Sequence, residues 1–253
     1  MNDIVMKKNL IYLLFIAMAV LMCSCGDDAD EPALKDQVMF VGETYKILDN
    51  SWNWSSENKL IASVSQGIVT AKLVGTTRIH KEDGTKSFQV TVKPRYYYFS
   101  EPCIQWGANM DAVRTYMFSY RFSDGDESMI SYYGTNKEDF YSYLFDSDQK
   151  LTDVIVEIKK SELTTDQLLN YLSERYVKMA IGADESEVDL EYFFKSIDGK
   201  TIIDLIDYHD YSEYYVWYFE YNTQNSPAKK SEIESVLTNK TTLNLHKHMN
   251  NKP

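Results

Sequence analysis

Asp207, His209, Asp210 and Glu213 fall within seven residues of one another in the run DYHDYSEYY. An imidazole among carboxylates is a donor set for a divalent metal. The same run also reads as a hydrated turn between two strands, and the turn is the preferred reading. His80 belongs to a strand-like stretch, while His246 and His248 sit on a polar tail where a metal would be held loosely. Asp124, Asp126 and Glu127 in SDGDES could offer oxygens to calcium, but no glutamate closes a 12-residue loop of the EF-hand type. An Asp-Gly hairpin turn accounts for them better. There is no Gly-x-Ser-x-Gly elbow and no glycine-rich phosphate loop. Carboxylates are abundant enough for a glycosidase-type pair, yet the chain beyond its small N-terminal module is short for that role. The expectation is a protein that is not an enzyme, with no catalytic residues, no metal and no cofactor.

The aromatic residues carry more information, for the chain holds 20 tyrosines. Strand alternation divides EYYVWYFEY into two faces. Tyr215, Trp217, Phe219 and Tyr221 suit a face buried under helices; Tyr214, Val216, Tyr218 and Glu220 suit a half-exposed one. In FYSYLF, Phe140, Ser142 and Leu144 oppose Tyr141, Tyr143 and Phe145 in the same way. Tyrosine supplies large contact area at low entropic cost and keeps a polar tip. Tyr214, Tyr218, Tyr141 and Tyr143 are therefore the expected binding face. The competing reading is that tyrosines fill sheet positions because strands favour them.

The chain carries a net charge of −12. Such a surface repels nucleic acid and anionic lipid headgroups, so no nucleic-acid partner is expected. Lys7 and Lys8 precede thirteen apolar residues, Leu10 to Met22, and then Cys23, Ser24 and Cys25. A basic start, a short apolar core and a small residue before the cut form a secretory signal. Thirteen residues cannot span a hydrocarbon core of about 30 Å as a helix. LMCSC resembles a bacterial lipobox, which implies a signal peptide over 1–24 and a lipid, such as palmitate, on Cys25. Cys23 is the alternative, but it would put bulky Met22 at the cleavage edge. The acidic run GDDADEP gives a tether over 25–32; by resemblance to Bacteroidetes lipoproteins it implies export to the cell surface. Cys103 is then the one remaining thiol, and no internal disulfide is expected.

Short β-branched runs between turns fill residues 33–94. Gly67 and Gly75 mark chain reversals, and Asp83-Gly84 is a hairpin signal. Strands at this spacing predict a small β-sandwich. Trp54-Ser55-Ser56, Ile61 to Val64, Gly67 to Ala71 and Gly75 to Ile79 resemble, in order and spacing, the bacterial Ig-like group 2 domain. The resemblance implies a spacer or adhesive unit. A domain this small buries only about 60% of its chain surface, so it should lean on its neighbour.

Residues 95–225 predict an α+β domain with an antiparallel sheet and two helices. Asn109 caps the first helix, with Val113 and Met117 on one face. Thr164 and Gln167 form a capping box for the second, with Leu168, Leu169, Leu172 and Tyr176 as its apolar stripe. Each helix precedes about three strands, a tandem α-β-β-β order that resembles β-lactamase-inhibitor-like proteins and small outer-membrane assembly lipoproteins. Residues 226–253 offer a short helix over Lys229 to Leu237 and then the polar end HKHMNNKP, which reads as disordered. Together these features predict two domains on a lipid anchor in the outer membrane. The expected role is a non-catalytic adhesion or binding module at the cell surface, for a protein or glycan. The alternative is a periplasm-facing lipoprotein that inhibits an enzyme or assists outer-membrane assembly.

Overall fold

The computed structural model describes residues 34–48, 53–182, 188–208 and 211–221. The signal segment, Cys25, His209, Asp210, His246, His248 and the 226–253 tail lie outside the described residues. Within them, strands dominate and two helices are present. No described helix is long and apolar enough to cross a membrane.

Seven strands come first: β1 (Gln37–Phe40), β2 (Thr44–Lys46), β3 (Trp54–Ser56), β4 (Ala62–Ser65), β5 (Ile68–Ala71), β6 (Gly75–Lys81) and β7 (Ser87–Lys93). They form a four-stranded sheet, β1-β7-β6-β3, and a three-stranded sheet, β2-β5-β4. One core draws on both, with Val69 and Ala71 on one side and Ile79, Phe88 and Val90 on the other. Trp54 and Tyr45 meet the ring of Phe88 edge-on, the geometry that aromatic quadrupoles favour. Gln66 and Gly67 both have positive φ at the β4–β5 turn, as a tight two-residue hairpin requires. Gly75 answers a different demand: a Cβ there would stand 2.9 Å from Ile61 Cδ1.

The described residues that follow build one eight-stranded antiparallel sheet. Helix α1 (Met110–Tyr116) precedes β8 (Phe122–Gly125), β9 (Met129–Tyr133), β10 (Glu138–Phe145) and β11 (Leu151–Lys159). Helix α2 (Thr165–Ser173) precedes β12 (Val177–Gly182), β13 (Val188–Lys195), β14 (Thr201–Tyr208) and β15 (Glu213–Glu220). The sheet order is β12-β13-β14-β15-β11-β10-β9-β8, so each half is a meander and the two last strands meet in the middle. The repeat is thus helix plus four strands, not the three expected. The missed strand in the second half is β12, an edge strand that begins just after α2, where Tyr176 reads from the sequence as a continuation of the helical stripe. Both helix caps form as predicted: the Asn109 side chain accepts from Ala112 N, and Thr164 and Gln167 complete the capping box.

The C-terminal end of α2 ties the two cores together. Buried Glu174 accepts the N–H groups of Arg95 and Tyr96 at 2.8 and 3.1 Å, and its carbonyl accepts Val74 N–H at 2.7 Å. Arg175 donates to the Tyr96 carbonyl at 2.8 Å and stands 3.0 Å from Glu101 Oε1. Ile197, from the β13–β14 turn, packs on the N-terminal core. The N-terminal sheets therefore do lean on their neighbour. Replacing Glu174 by Ala leaves two N–H groups without their acceptor, at about 1–3 kcal/mol each. Glu174→Ala is expected to lower the unfolding free energy by about 2–4 kcal/mol in urea titration. An unchanged midpoint would show that the clamp carries no stability.

Candidate functional site

The pairing of β11 with β15 decides which side chains share a face. Val154, Val156 and Ile158 stand opposite Tyr218, Val216 and Tyr214; Asp153, Ile155 and Glu157 stand opposite Phe219, Trp217 and Tyr215. The first set joins the core that also contains Val113, Leu168 and Leu172 of the two helices. The second joins a separate cluster of Ile155, Ile206, Tyr215 and Trp217, flanked by Leu144, Tyr208, Tyr211 and Phe219. Among the described residues, no helix residue belongs to it.

This assignment reverses the one expected from alternation. Tyr214, Tyr218, Tyr141 and Tyr143 are all buried on the helix side, Tyr143 and Tyr218 at 0% exposure. The physical reason lies in the irregular segment between β7 and α1, whose backbone polar groups need partners inside the core. Tyr141 donates to the Ser100 carbonyl at 2.8 Å, and the Tyr143 hydroxyl accepts Cys103 N–H at 3.3 Å. The Tyr171 hydroxyl lies 2.9 Å from both the Phe99 carbonyl and Glu101 Oε1, and Tyr176 hydrogen-bonds the other oxygen of Glu101. Tyr214 reaches Thr165 Oγ1 at 3.0 Å. These rings are core residues whose hydroxyls tie down a loop. Tyr218 is the exception: its hydroxyl has no hydrogen-bond partner among the described residues.

The helix-free face becomes the candidate site. Across the sheet, Phe193, Asp204, Trp217, Ile155, Ser142 and Ser131 form one row of opposed residues. Trp217 donates its indole N–H to Asp153 Oδ1 at 3.1 Å, and its ring meets Phe219 edge-on. Tyr208, Tyr211 and Tyr215 contact one another in a triad of rings. Burial first, then the charges of Glu157 and Glu213, push the Tyr215 phenol far above its ordinary range. The face is thus apolar and aromatic at its centre, with carboxylates set among the rings. Sequence alternation had separated Tyr215, Trp217 and Phe219 correctly from their neighbours; only the side was wrong.

A second concave feature lies between the N-terminal sheets and β14–β15. It is an open cleft of about 750 Å³ with Asn58, Ile61, Trp106, Arg175, Asp198 and Lys200 among its walls. Trp106 donates to Thr201 Oγ1 at 3.0 Å, which fixes its indole. The Ser196 hydroxyl, then the Lys200 amide, hold the Asp198 carboxyl below its usual range. That shift is opposite to the one a general acid needs. No single sequence run signals this cleft, because its walls come from segments far apart in the chain.

Among the described residues no group of three or more His, Cys, Asp or Glu is placed to hold a metal. Asp126, not the Asp-Gly pair, turns β8 into β9: its Oδ1 accepts Ser128 N, Ser128 Oγ and Met129 N. His80 is a strand residue whose Nε2 lies 2.9 Å from Ser55 Oγ. Asp207 pairs with Lys160 at 2.6 Å, and Glu213 is reached by Ser212 Oγ. Cys103 is buried, and burial raises its thiol above the ordinary value. No protein-family model matches the chain, and no curated protein matches it.

Burial holds the phenols of Tyr141, Tyr143, Tyr171, Tyr176 and Tyr218 above their ordinary value of 10.0. The native state therefore keeps protons that the unfolded chain has lost at high pH. Stability from these groups is intact below pH 10 and falls as pH rises beyond it. Tyrosinate absorbance for these rings is expected to appear only together with loss of circular dichroism. Their ionisation in a fully folded protein would contradict the burial.

Proposed function

We propose that this chain is a lipid-anchored cell-envelope protein that binds a partner through the helix-free face of its large sheet. The single observation that carries the reading is that face: eight strands wide, with no helix on it among the described residues, and with Tyr215, Trp217 and Phe219 among Asp153, Glu157 and Asp204. Large aromatic rings are enriched at recognition surfaces, whose charged groups belong to the rim. A protein partner fits better than a glycan, because the apolar rows extend over several strands. No catalytic step is assigned to the face.

The N-terminal strands act in this reading as a separate Ig-like spacer domain. Each segment that carries the resemblance coincides with a strand: Trp54–Ser56 is β3, Ala62–Ser65 is β4, Ile68–Ala71 is β5 and Gly75 opens β6. The hydrogen bonds at Glu174 and Arg175 would hold the spacer at a fixed angle to the binding domain. Cys25 would carry the lipid, stable membrane attachment following from two or more acyl chains. A second reading has a specific observation in its favour. Each half is one helix followed by four strands, a tandem helix-plus-sheet order that supports this reading beside the resemblance to β-lactamase-inhibitor-like proteins; the partner would then be an enzyme on the periplasmic side.

Protease treatment of unbroken cells, with labelled palmitate in wild type and Cys25→Ala, tests the proposal. The expected outcome is loss of the protein from intact cells and loss of label in the variant. Protection until the outer membrane is opened would reject surface display and favour the periplasmic inhibitor. Label retained in Cys25→Ala would move the anchor to another residue.

A further inference from the structure

The cleft beside Trp106 has no part in the reading above, and none of its wall residues belongs to the helix-free cluster. Its volume of about 750 Å³ lies within the range of small-ligand sites, about 300–1,000 Å³. Asn58 and Ile61 enter it from the turn before β4, Ile104 and Trp106 from the irregular segment before α1, and Asp198 and Lys200 from the β13–β14 turn.

Trp106 is the fixed element of this cleft. It packs against the tyrosine core, and Thr201 Oγ1 takes up its indole N–H at 3.0 Å. The half-buried ring still lines the cleft beside Ile61 and Ile104. With its N–H engaged, the indole offers a ligand an apolar surface that is immobilised before binding.

The polar groups narrow the ligand class. Arg175 is committed elsewhere: its guanidinium donates to the Tyr171 and Tyr96 carbonyls at 2.9 and 2.8 Å and stands 3.0 Å from Glu101 Oε1. Lys200 is the wall's other cation, and it is opposed by the carboxylates of Asp198 and Glu220. One ammonium beside two carboxylates does not clamp a phosphate or a carboxylate ligand. Asp198 is held in place through one oxygen, Oδ1, which accepts Ser196 Oγ at 2.6 Å and Lys200 N at 3.1 Å. Asn58 Oδ1 accepts Leu60 N–H at 3.0 Å, so its Nδ2 is the donor left for a ligand among the described residues. Donors at Asn58 and Lys200 and acceptors at Asp198 and Glu220 thus surround an apolar plate. A hydroxyl both donates and accepts. A ring with hydroxyls on its edge and C–H groups on its faces meets all of these demands at once.

We propose that the cleft is a glycan-binding site, in which a neutral sugar ring stacks on Trp106 and its hydroxyls bond Asn58, Asp198, Lys200 and Glu220. The site does not rest on the reading of the helix-free face, and the two fail separately.

A glycan array probed with the labelled full chain tests the proposal. It carries neutral gluco-, galacto-, manno- and xylo-configured oligosaccharides beside sulfated and uronic-acid ones. Calorimetry on the neutral oligosaccharide bound most strongly then gives the Kd of each variant. Neutral members are expected to bind. Asn58→Ala and Lys200→Ala should each weaken binding about fivefold, the worth of one hydrogen bond. Trp106→Ala should weaken it roughly tenfold or more. Lys200 is exposed, so its variant reads the site even where Trp106→Ala loses its native circular dichroism. Phe219→Ala, at the helix-free face, should bind as wild type. Binding of no neutral oligosaccharide, or only of sulfated or uronic-acid ones, would overturn the proposal. So would a Kd unchanged in Lys200→Ala and Asn58→Ala, or one that rises in Phe219→Ala instead.

Discussion

The pairing of β11 with β15 is the constraint on which the large sheet depends. Each strand ends one meander, and their antiparallel register joins the two halves into one eight-stranded surface. A sheet has period two, so a slip of one residue at this seam would exchange the faces of a whole half. The present register sends Val156, Val216 and Tyr218 under the helices and sets Ile155, Trp217 and Tyr215 on the other side. Both sides of the seam are apolar, as expected of central strands covered on two faces.

The helix side is closed by hydroxyl groups as much as by apolar contact. The segment from Tyr96 to Trp106 has no regular structure, yet it lies against the core with Phe99 and Cys103 buried. Buried backbone groups need partners, and Tyr141, Tyr143 and Tyr171 provide them from three different elements. Arg175 stacks on the Tyr171 ring at 3.7 Å while it holds Glu101. Next to it, Glu174 receives the chain leaving β7. One short stretch at the end of α2 therefore fixes both the loop over the core and the approach of the N-terminal sheets.

Much of this was legible from local chemistry. Capping residues Asn109 and Thr164 announced their helices because a cap is a contact within four residues. Gly67 and Asp83-Gly84 announced their turns for the same reason. The strands of the first half and the alternation of EYYVWYFEY were also readable. What failed was the assignment of sides. Alternation separates Tyr214 from Tyr215, but nothing local says which set meets the helices. Tyr141, Tyr143 and Tyr214 find their hydroxyl partners on the helix side, 40 or more residues away in the chain. Strand β12 escaped because its approach through Tyr176 reads as a continuation of α2, which ends at Ser173. The cleft at Trp106 escaped because Asn58, Arg175 and Lys200 meet only after both cores have formed.

The claim at the centre of this account is that recognition uses the helix-free face. Hydroxyl-radical footprinting compares the purified full chain with the same chain on its native envelope. The account predicts that side chains rimming the face, Phe219, Tyr208 and Tyr211, lose reactivity on the envelope. Phe118 and Tyr97, exposed at 85% and 65% away from that cluster, should keep theirs. Protection at Phe118 or Tyr97 with an unchanged rim would place the interaction elsewhere and contradict the account.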